Sequence, residues 1–295
     1  MSATSDNITG PLLAMKSVSF HYPGSPADSP PALQDVNLAI YPGERIGAVG
    51  PNGGGKTTLV KLILGLFRPN VGSIVLCGST ARWSRHIPDV GYIGNPSRND
   101  GESGLPLDLT VSQLLNAHEA LFRRSKMDYP HATTLAARLD LDKQEWRRKS
   151  IYALSDGWRQ RILAYLALVK QPKLLIADEA TAGLDPPHRR AVLDTIEHSL
   201  AASKMAVLWV THDHNELLAL QLRKIIQIER GRLEQMHVSS WKCEISVNSG
   251  KFQLLNLMPD ALFRLFSELA LNDQTLSIQL NMDRHHVSEE VKACM

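Results

Sequence analysis

The sequence is poor in cysteine. Its 295 residues include three, Cys77, Cys243 and Cys294, which are far apart and odd in number. This spacing provides neither a disulfide framework nor the closely spaced pairs of a structural zinc site. A small disulfide-stabilised secreted domain is therefore excluded, and a reducing compartment is the simplest expectation.

Long apolar runs and excess charge are also missing. No apolar run approaches about 20 residues, the length that crosses a bilayer. The opening stretch MSATSDNITGPLLAMK lacks the basic region and the apolar core of a secretory signal. The net charge of +2 is too small to indicate a nucleic-acid partner. If the protein works at a membrane, we expect other chains to supply the spanning segments.

The overall composition, with 43% apolar and 21% charged residues, is ordinary for a soluble globular protein. Over residues 12–237 short apolar runs alternate with segments of helical period, which predicts a mostly parallel sheet with an N-terminal antiparallel part. Residues 96–170 are predicted to form a helical insertion. From residue 238 to 295 a strand, a helix over 258–271 and a further strand predict a small α+β extension of unknown role.

The stretch GPNGGGKT, residues 50–57, fits the pattern G-x-x-x-x-G-K-[ST] in full. Glycines let the backbone curl until several N–H groups face one anion, and the following helix adds its positive end. A glycine-rich turn without a ligand is disfavoured by the preceding strand and the lysine. The predicted nucleotide-binding residues here are Gly50, Pro51, Asn52, Gly53, Gly54, Gly55, Lys56, Thr57 and Thr58.

A second candidate element is KLLIADE, an apolar run that ends in Asp178 and Glu179. A buried parallel strand would deliver both acids at its carboxyl end, where ligands of open α/β sheets bind. We expect Asp178 to hold Mg²⁺ together with the Thr57 hydroxyl. Glu179 would then face the attacking water, which makes a nucleoside triphosphatase the predicted activity.

These elements belong to an ordered set that resembles the ATP-binding subunits of ABC transporters over residues 12–237. Upstream of the glycine-rich loop lies Tyr22, in the place of the family's adenine-stacking aromatic. LSDGWRQR (154–161) resembles the family signature, IADEATAGLD (176–185) resembles the Walker B strand and the D-loop ending at Asp185, and VTHD (210–213) resembles the switch region with His212. Tyr22 is otherwise an ordinary strand aromatic.

The resemblance implies a P-loop ATPase fold of ABC type and a site made by two such domains, as a homodimer or heterodimer. Each ATP, with Mg²⁺, would be cradled by one subunit and closed by Ser155 and Gly157 of the other. Glu179 would be the general base and His212 would bind the γ-phosphate. Hydrolysis would power transport through transmembrane permease subunits, with this chain peripheral on the cytoplasmic face of the membrane.

Three positions depart from the family pattern. Asn95 replaces the Q-loop glutamine, and its shorter arm leaves its role as a Mg²⁺ ligand open. Asp156 replaces the first glycine of the signature, where a carboxylate near the γ-phosphate is unfavourable unless it points away. Trp158 replaces the signature glutamine and packs either on the helical insertion or on the facing subunit.

The residues leave other functions open. One alternative is a soluble ABC-type ATPase of translation or repair, although such proteins usually join two nucleotide-binding domains or carry long coiled coils. Another is a nucleotide-binding regulatory module with little turnover, which Glu179 and His212 disfavour. The transported solute and the choice between import and export do not follow from the sequence.

Overall fold

The structure of the chain is a computed structural model. The residues that this structure describes are 10–26, 28–81, 89–95, 105–123, 132–222, 224–236, 241–247, 250–257 and 276–282. The helix predicted over 258–271 and the first residues of the predicted insertion lie outside these ranges. In the described ranges, no helix combines the length and apolar character that crossing a membrane requires.

The strands and helices follow one another in the alternation that the sequence predicts. The strands are β1 Leu13–Phe20, β2 Leu33–Ile40, β3 Arg45–Val49, β4 Val71–Leu76, β5 Ser79–Thr80, β6 Val90–Ile93, β7 Leu174–Asp178, β8 Ala206–Val210, β9 Lys224–Glu229, β10 Arg232–Met236, β11 Trp241–Val247, β12 Gly250–Leu257 and β13 Leu276–Met282. The helices are α1 Lys56–Ile63, α2 Val111–Arg123, α3 Ala132–Arg138, α4 Gln144–Arg147, α5 Asp156–Leu168, α6 Pro186–Ala202 and α7 His214–Ala219, with a 3₁₀ turn at Ile151–Ala153.

A six-stranded sheet forms the centre of the fold, in the order β10-β9-β3-β8-β7-β6. Of its five strand pairings, the four from β9 to β6 are parallel, and the edge strand β10 runs antiparallel to β9. Every residue of β7 and β8 is buried, as expected for parallel strands covered on both faces. A second, antiparallel sheet has the order β2-β1-β4-β5 and is the predicted N-terminal β part. The predicted α/β fold class is confirmed.

The two faces of the central sheet belong to different hydrophobic clusters. Leu175 and Ala177 of β7 pack in a cluster with the helices of the insertion. Leu174 and Ile176, which alternate with them, pack in a cluster with α1 and the antiparallel sheet. Strand side chains alternate between faces, so neighbouring residues of one strand stabilise opposite layers.

The C-terminal strands form a separate antiparallel sheet in the order β12-β11-β13. The sequence predicts β11 and β13 but not β12, whose segment GKFQLLNL lacks strict alternation. Because β12 pairs with β11 across a short connection, the first two strands of this extension are a hairpin, and strand is not followed directly by helix as predicted.

A buried glutamate ties α7 to the central sheet. Glu216 is 3% exposed, and its Oε2 accepts a hydrogen bond of 2.7 Å from Nε1 of Trp209, which is fully buried in β8. Its Oε1 accepts a hydrogen bond from the hydroxyl of Thr181, three residues after β7. One carboxylate thus satisfies two buried donors from different segments.

We expect Glu216→Ala to lower the free energy of unfolding by about 2–4 kcal/mol, because two buried donors lose their partner. Urea unfolding followed by circular dichroism measures the change. Glu234→Ala, at an exposed position of β10, is the matched control and should stay within about 0.5 kcal/mol of the wild type. Equal stability of the two variants would contradict the assigned role of Glu216.

Candidate nucleotide site

The predicted chemical groups gather at the carboxyl edge of the central sheet. The glycine-rich loop follows β3, Asp178 ends β7, and His212 lies two residues after β8. Backbone hydrogen bonds continue past the strand ends: the Glu179 N–H donates to the carbonyl of Val210 at 2.9 Å. Since β3, β7 and β8 are parallel neighbours, their ends meet at one place.

At three glycines, the loop before α1 lies so close to other backbone that a side chain does not fit. A Cβ at Gly50 would lie 2.0 Å from the carbonyl oxygen of Ile228 in β9, and one at Gly54 would lie 2.6 Å from the same oxygen. Gly55 has a φ of 110°, in the region that favours glycine, and a Cβ there would lie 2.7 Å from the Ala32 carbonyl oxygen. The glycines therefore serve both the curl of the loop and its seating on the sheet.

Lys56 begins α1 and turns its side chain back into the loop. It is 6% exposed, and its Nζ donates to the carbonyl oxygens of Gly50 and Pro51 at 2.8 and 3.1 Å. The ammonium group is thus held inside the loop by backbone acceptors. A phosphate entering the loop would meet a positive charge that is already positioned.

Tyr22 reaches the same helix from the antiparallel sheet. Its hydroxyl lies 2.9 Å from the hydroxyl of Thr58, and its ring packs edge-on against Phe20 and Phe67. The side chain is 40% exposed, so part of the ring stays open beside α1. Thr58 is buried, whereas Thr57 is half-buried next to the loop.

The two acids and the histidine share the strand ends. Asp178 is 1% exposed at the end of β7. Glu179 follows with a φ of 50°, a left-handed backbone that turns the chain out of the sheet. Its Oε1 lies 3.8 Å from Nδ1 of His212; the carboxylate side chain is 17% exposed and the imidazole 64%. The structure thus places a carboxylate and an imidazole next to each other at the mouth of the site.

Asn95 lies just beyond β6, the strand beside β7, and is half-buried. The residue before it is held by a side chain that the sequence analysis did not single out. Gln160 of α5 is fully buried, and its Nε2 donates to the carbonyl of Gly94 at 3.1 Å. The signal that could have identified Gln160 from the sequence is a glutamine on the apolar face of a predicted helix. This bond joins the signature helix to the Asn95 segment.

The signature residues begin α5. Ser155 occupies the N-cap, is exposed, and makes no capping hydrogen bond with its side chain. Gly157 packs against His188, since a Cβ there would lie 2.6 Å from that imidazole ring. Asp185, the predicted D-loop residue, caps α6, and His188 hydrogen bonds to it. The signature and D-loop segments are therefore neighbours within one chain.

Two departures from the family pattern have local explanations. Trp158 stacks on Trp146 of the insertion with ring centroids 3.8 Å apart, so it packs within its own chain. Asp156 lies in the first turn of α5, where negative charge is favourable, and pairs with Arg159 at 3.4 Å. Arg159 also donates to the carbonyl of Tyr152, so the same guanidinium group contacts Asp156 and the 3₁₀ turn before α5.

Fold and site together define a P-loop ATPase. The family model described as "ABC transporter" matches residues 33–182. The energy-coupling factor transporter ATP-binding protein EcfA1 of Enterococcus faecalis is 31% identical over 240 residues, which cover 76% of this chain and 77% of the relative. The high-affinity zinc uptake system ATP-binding protein ZnuC of Bacillus subtilis is 30% identical over 234 residues, covering 79% and 95%.

Solved structures have the same fold. A dimeric ATP-binding cassette in a post-hydrolysis state, bound to ADP and phosphate, aligns with a TM-score of 0.63 and 22% identity over 76% of this chain and 98% of that one. The protein cbiO1 of Clostridium perfringens aligns with a TM-score of 0.58 and 22% identity, covering 90% and 96%.

The chain belongs to the ABC transporter family, among its ATP-binding subunits. It binds ATP and hydrolyses it to power transport. The family and the activity that the sequence analysis predicts are confirmed. The assignment of individual residues to steps of the reaction stays a prediction.

We expect Gly50→Ala to weaken ATP binding by at least about tenfold, because a new methyl group against the Ile228 carbonyl displaces the loop. Gly53→Ala is the matched control. Gly53 also has a positive φ, of 78°, but a Cβ there meets nothing within 4 Å. Titration with a fluorescent ATP analogue compares the variants, and a Gly53→Ala defect as large as that of Gly50→Ala would contradict the argument.

Proposed function

We propose that the carboxyl edge of the central sheet is the hydrolytic half-site of this ATPase. Residues 50–58 hold the phosphates through backbone N–H groups and the ammonium group of Lys56, and Tyr22 packs against the adenine. The observation that carries the proposal is the Glu179–His212 pair, 3.8 Å apart, at the same edge as the buried lysine. An anion cradle alone would need neither group.

Mg²⁺ fits the oxygen donors of this edge. The Thr57 hydroxyl and the Asp178 carboxylate are hard ligands, and Mg²⁺ usually takes few protein ligands beside phosphate oxygens and water. Among the residues that the structure describes, no group of three or more His, Cys, Asp or Glu side chains is arranged to hold a metal ion. Asn95 is the further, weaker candidate. Bound Mg²⁺ supplies neutralisation of phosphate charge.

Glu179 and His212 divide the chemistry between them. The Glu179 carboxylate accepts a hydrogen bond from the attacking water and orients it, then takes its proton. The His212 imidazole donates a hydrogen bond to the γ-phosphate, where negative charge redistributes as the bond to the leaving group breaks. Lys56 stays on the phosphates throughout. The products are ADP and phosphate.

The exposed end of α5 acts on a second subunit. The Ser155 hydroxyl is not used to cap its own helix, and the helix N-terminus is a ready anion site. We infer that Ser155 and Gly157 close on the ATP held by residues 50–58 of a partner domain, with Asp185 at the same interface. A homodimer and a heterodimer with a similar chain both satisfy this geometry.

Transmembrane permease subunits are the remaining partners, and this chain lies peripherally on the cytoplasmic side. The relatives at 30% and 31% identity are named for zinc uptake and for an energy-coupling factor transporter. The name of the zinc uptake relative supports transport in the direction of uptake. A role in translation or repair, or as a regulator without turnover, lacks comparable support.

We expect Glu179→Gln to reduce ATP turnover at least about a hundredfold, because an amide orients water but does not take its proton. Phosphate release by the purified full chain, with and without its membrane partners, gives kcat and KM. ATP binding should persist. Turnover in Glu179→Gln within threefold of the wild type would remove the residue from its role.

Two controls accompany this experiment. Glu234→Gln, at an exposed position on β10, should leave kcat unchanged. Lys56→Ala should abolish ATP binding itself, which separates a failure of the cradle from a failure of the chemical step.

A further inference from the structure

His188 bonds to the predicted D-loop aspartate twice. Its backbone N–H donates to Oδ1 of Asp185 at 3.0 Å, and its ring Nδ1 lies 2.6 Å from the same oxygen. The backbone bond is the ordinary N-cap of α6. The ring bond is additional, and it fixes both the imidazole and the carboxylate. These bonds to His188 hold the pKa of Asp185 below its usual range.

The other side of the imidazole faces the signature. A Cβ at Gly157 would lie 2.6 Å from both Cγ and Cδ2 of His188. The ring of Trp158 meets the imidazole edge-on, with centroids 5.7 Å apart and an interplanar angle of 82°. One side chain of α6 therefore touches the first turn of α5 and the Asp185 carboxylate together.

Trp158, on the signature side of this contact, is held by its own neighbours. Trp158 stacks on Trp146 at 3.8 Å, and the Arg161 guanidinium lies 4.8 Å from the Trp158 ring centroid. Lys149 covers the outer face of Trp146, with Nζ 3.9 Å from the ring centroid. Stacked rings between two cations leave Trp158 little freedom to yield to His188.

We propose that His188 is a positioning residue that fixes Asp185 relative to Gly157, so that the two segments meet a partner's nucleotide as one surface. The inference rests on the proposed role of Ser155 and Gly157 at a second subunit. His188 touches no nucleotide itself. Because it acts on the partner's half of the site, its loss lowers kcat while the KM for ATP, set by residues 50–58, stays the same.

Two substitutions separate the ring from its hydrogen bond. His188→Phe keeps a ring against Gly157 and Trp158 and the backbone N–H bond to Asp185, but it has no side-chain donor for Asp185. His188→Asn keeps a donor near the position of Nδ1 and removes the ring. We expect His188→Phe to lower kcat about tenfold, the effect of losing one hydrogen bond to a charged group. We expect His188→Asn to lower kcat about threefold or more as well, because it loses the ring contact with Gly157, with KM unchanged in both.

A double-mutant cycle tests the contact with Gly157. Gly157→Ala should lower kcat, and part of this loss comes from collision with His188. In a His188→Ala background the loss should be at least about threefold smaller, because the added methyl group then has room. This coupling would not arise if the two residues contributed to stability independently.

The kinetics of the wild-type chain and its variants test the proposal, and thermal melting reports whether each variant folds. Wild-type kcat in His188→Phe would overturn it. So would a KM that rises as kcat falls, or an equal cost of Gly157→Ala in both backgrounds. ATP binding that survives Lys56→Ala would refute the assigned cradle instead, so the two failures are distinguishable.

Discussion

The contact of Gly50 and Gly54 with the carbonyl of Ile228 is the constraint on which the site depends. Strand β9 is hydrogen-bonded in parallel to β3, so the ladder fixes where that carbonyl stands. Any side chain at either glycine would displace the loop, and Lys56 would lose the two carbonyls that hold its ammonium group. The phosphate cradle is therefore as much a property of the sheet register as of the loop.

Burial extends the same rigidity to the reacting groups. Strands β7 and β8 are covered on both faces, so Asp178 and the residues before His212 cannot shift sideways without breaking the core. The chain leaves the sheet at Glu179 through a left-handed residue. A carboxylate on such a turn is held by backbone geometry, and preorganised groups of this kind need little rearrangement during a reaction.

The sequence predicted the parts of this molecule that are local. The glycine spacing, the apolar strands ending in acids, and the order of the motifs led to the fold class and to the family. The sequence pattern alone was enough to predict residues 50–58 as a phosphate-binding loop. Strand β12 was missed because its side chains do not alternate, and a hairpin depends on pairing between strands that a single segment does not reveal.

Other features could not be predicted because they depend on contacts between distant segments. The sequence left two surroundings open for Trp158, and the stack on Trp146 decides between them. The sequence suggested that the charge of Asp156 would be unfavourable near a phosphate. Its actual partner, Arg159, could not be predicted because the contact depends on how the chain enters α5. Gln160 lies within the stretch 154–161, but nothing in that pattern indicates its buried contact, and His188 belongs to no motif. Their importance comes from which backbone atoms the fold brings against them.

The central sheet also divides the core in two. Alternate residues of β7 send their side chains to the layer of α1 or to the layer of the inserted helices. A change in side-chain volume at Leu175 alters the packing of the insertion helices, whereas one at Ile176 alters the packing of α1. A substitution on one face of β7 therefore disturbs the packing of one layer first, and the buried strands separate the two layers of the core.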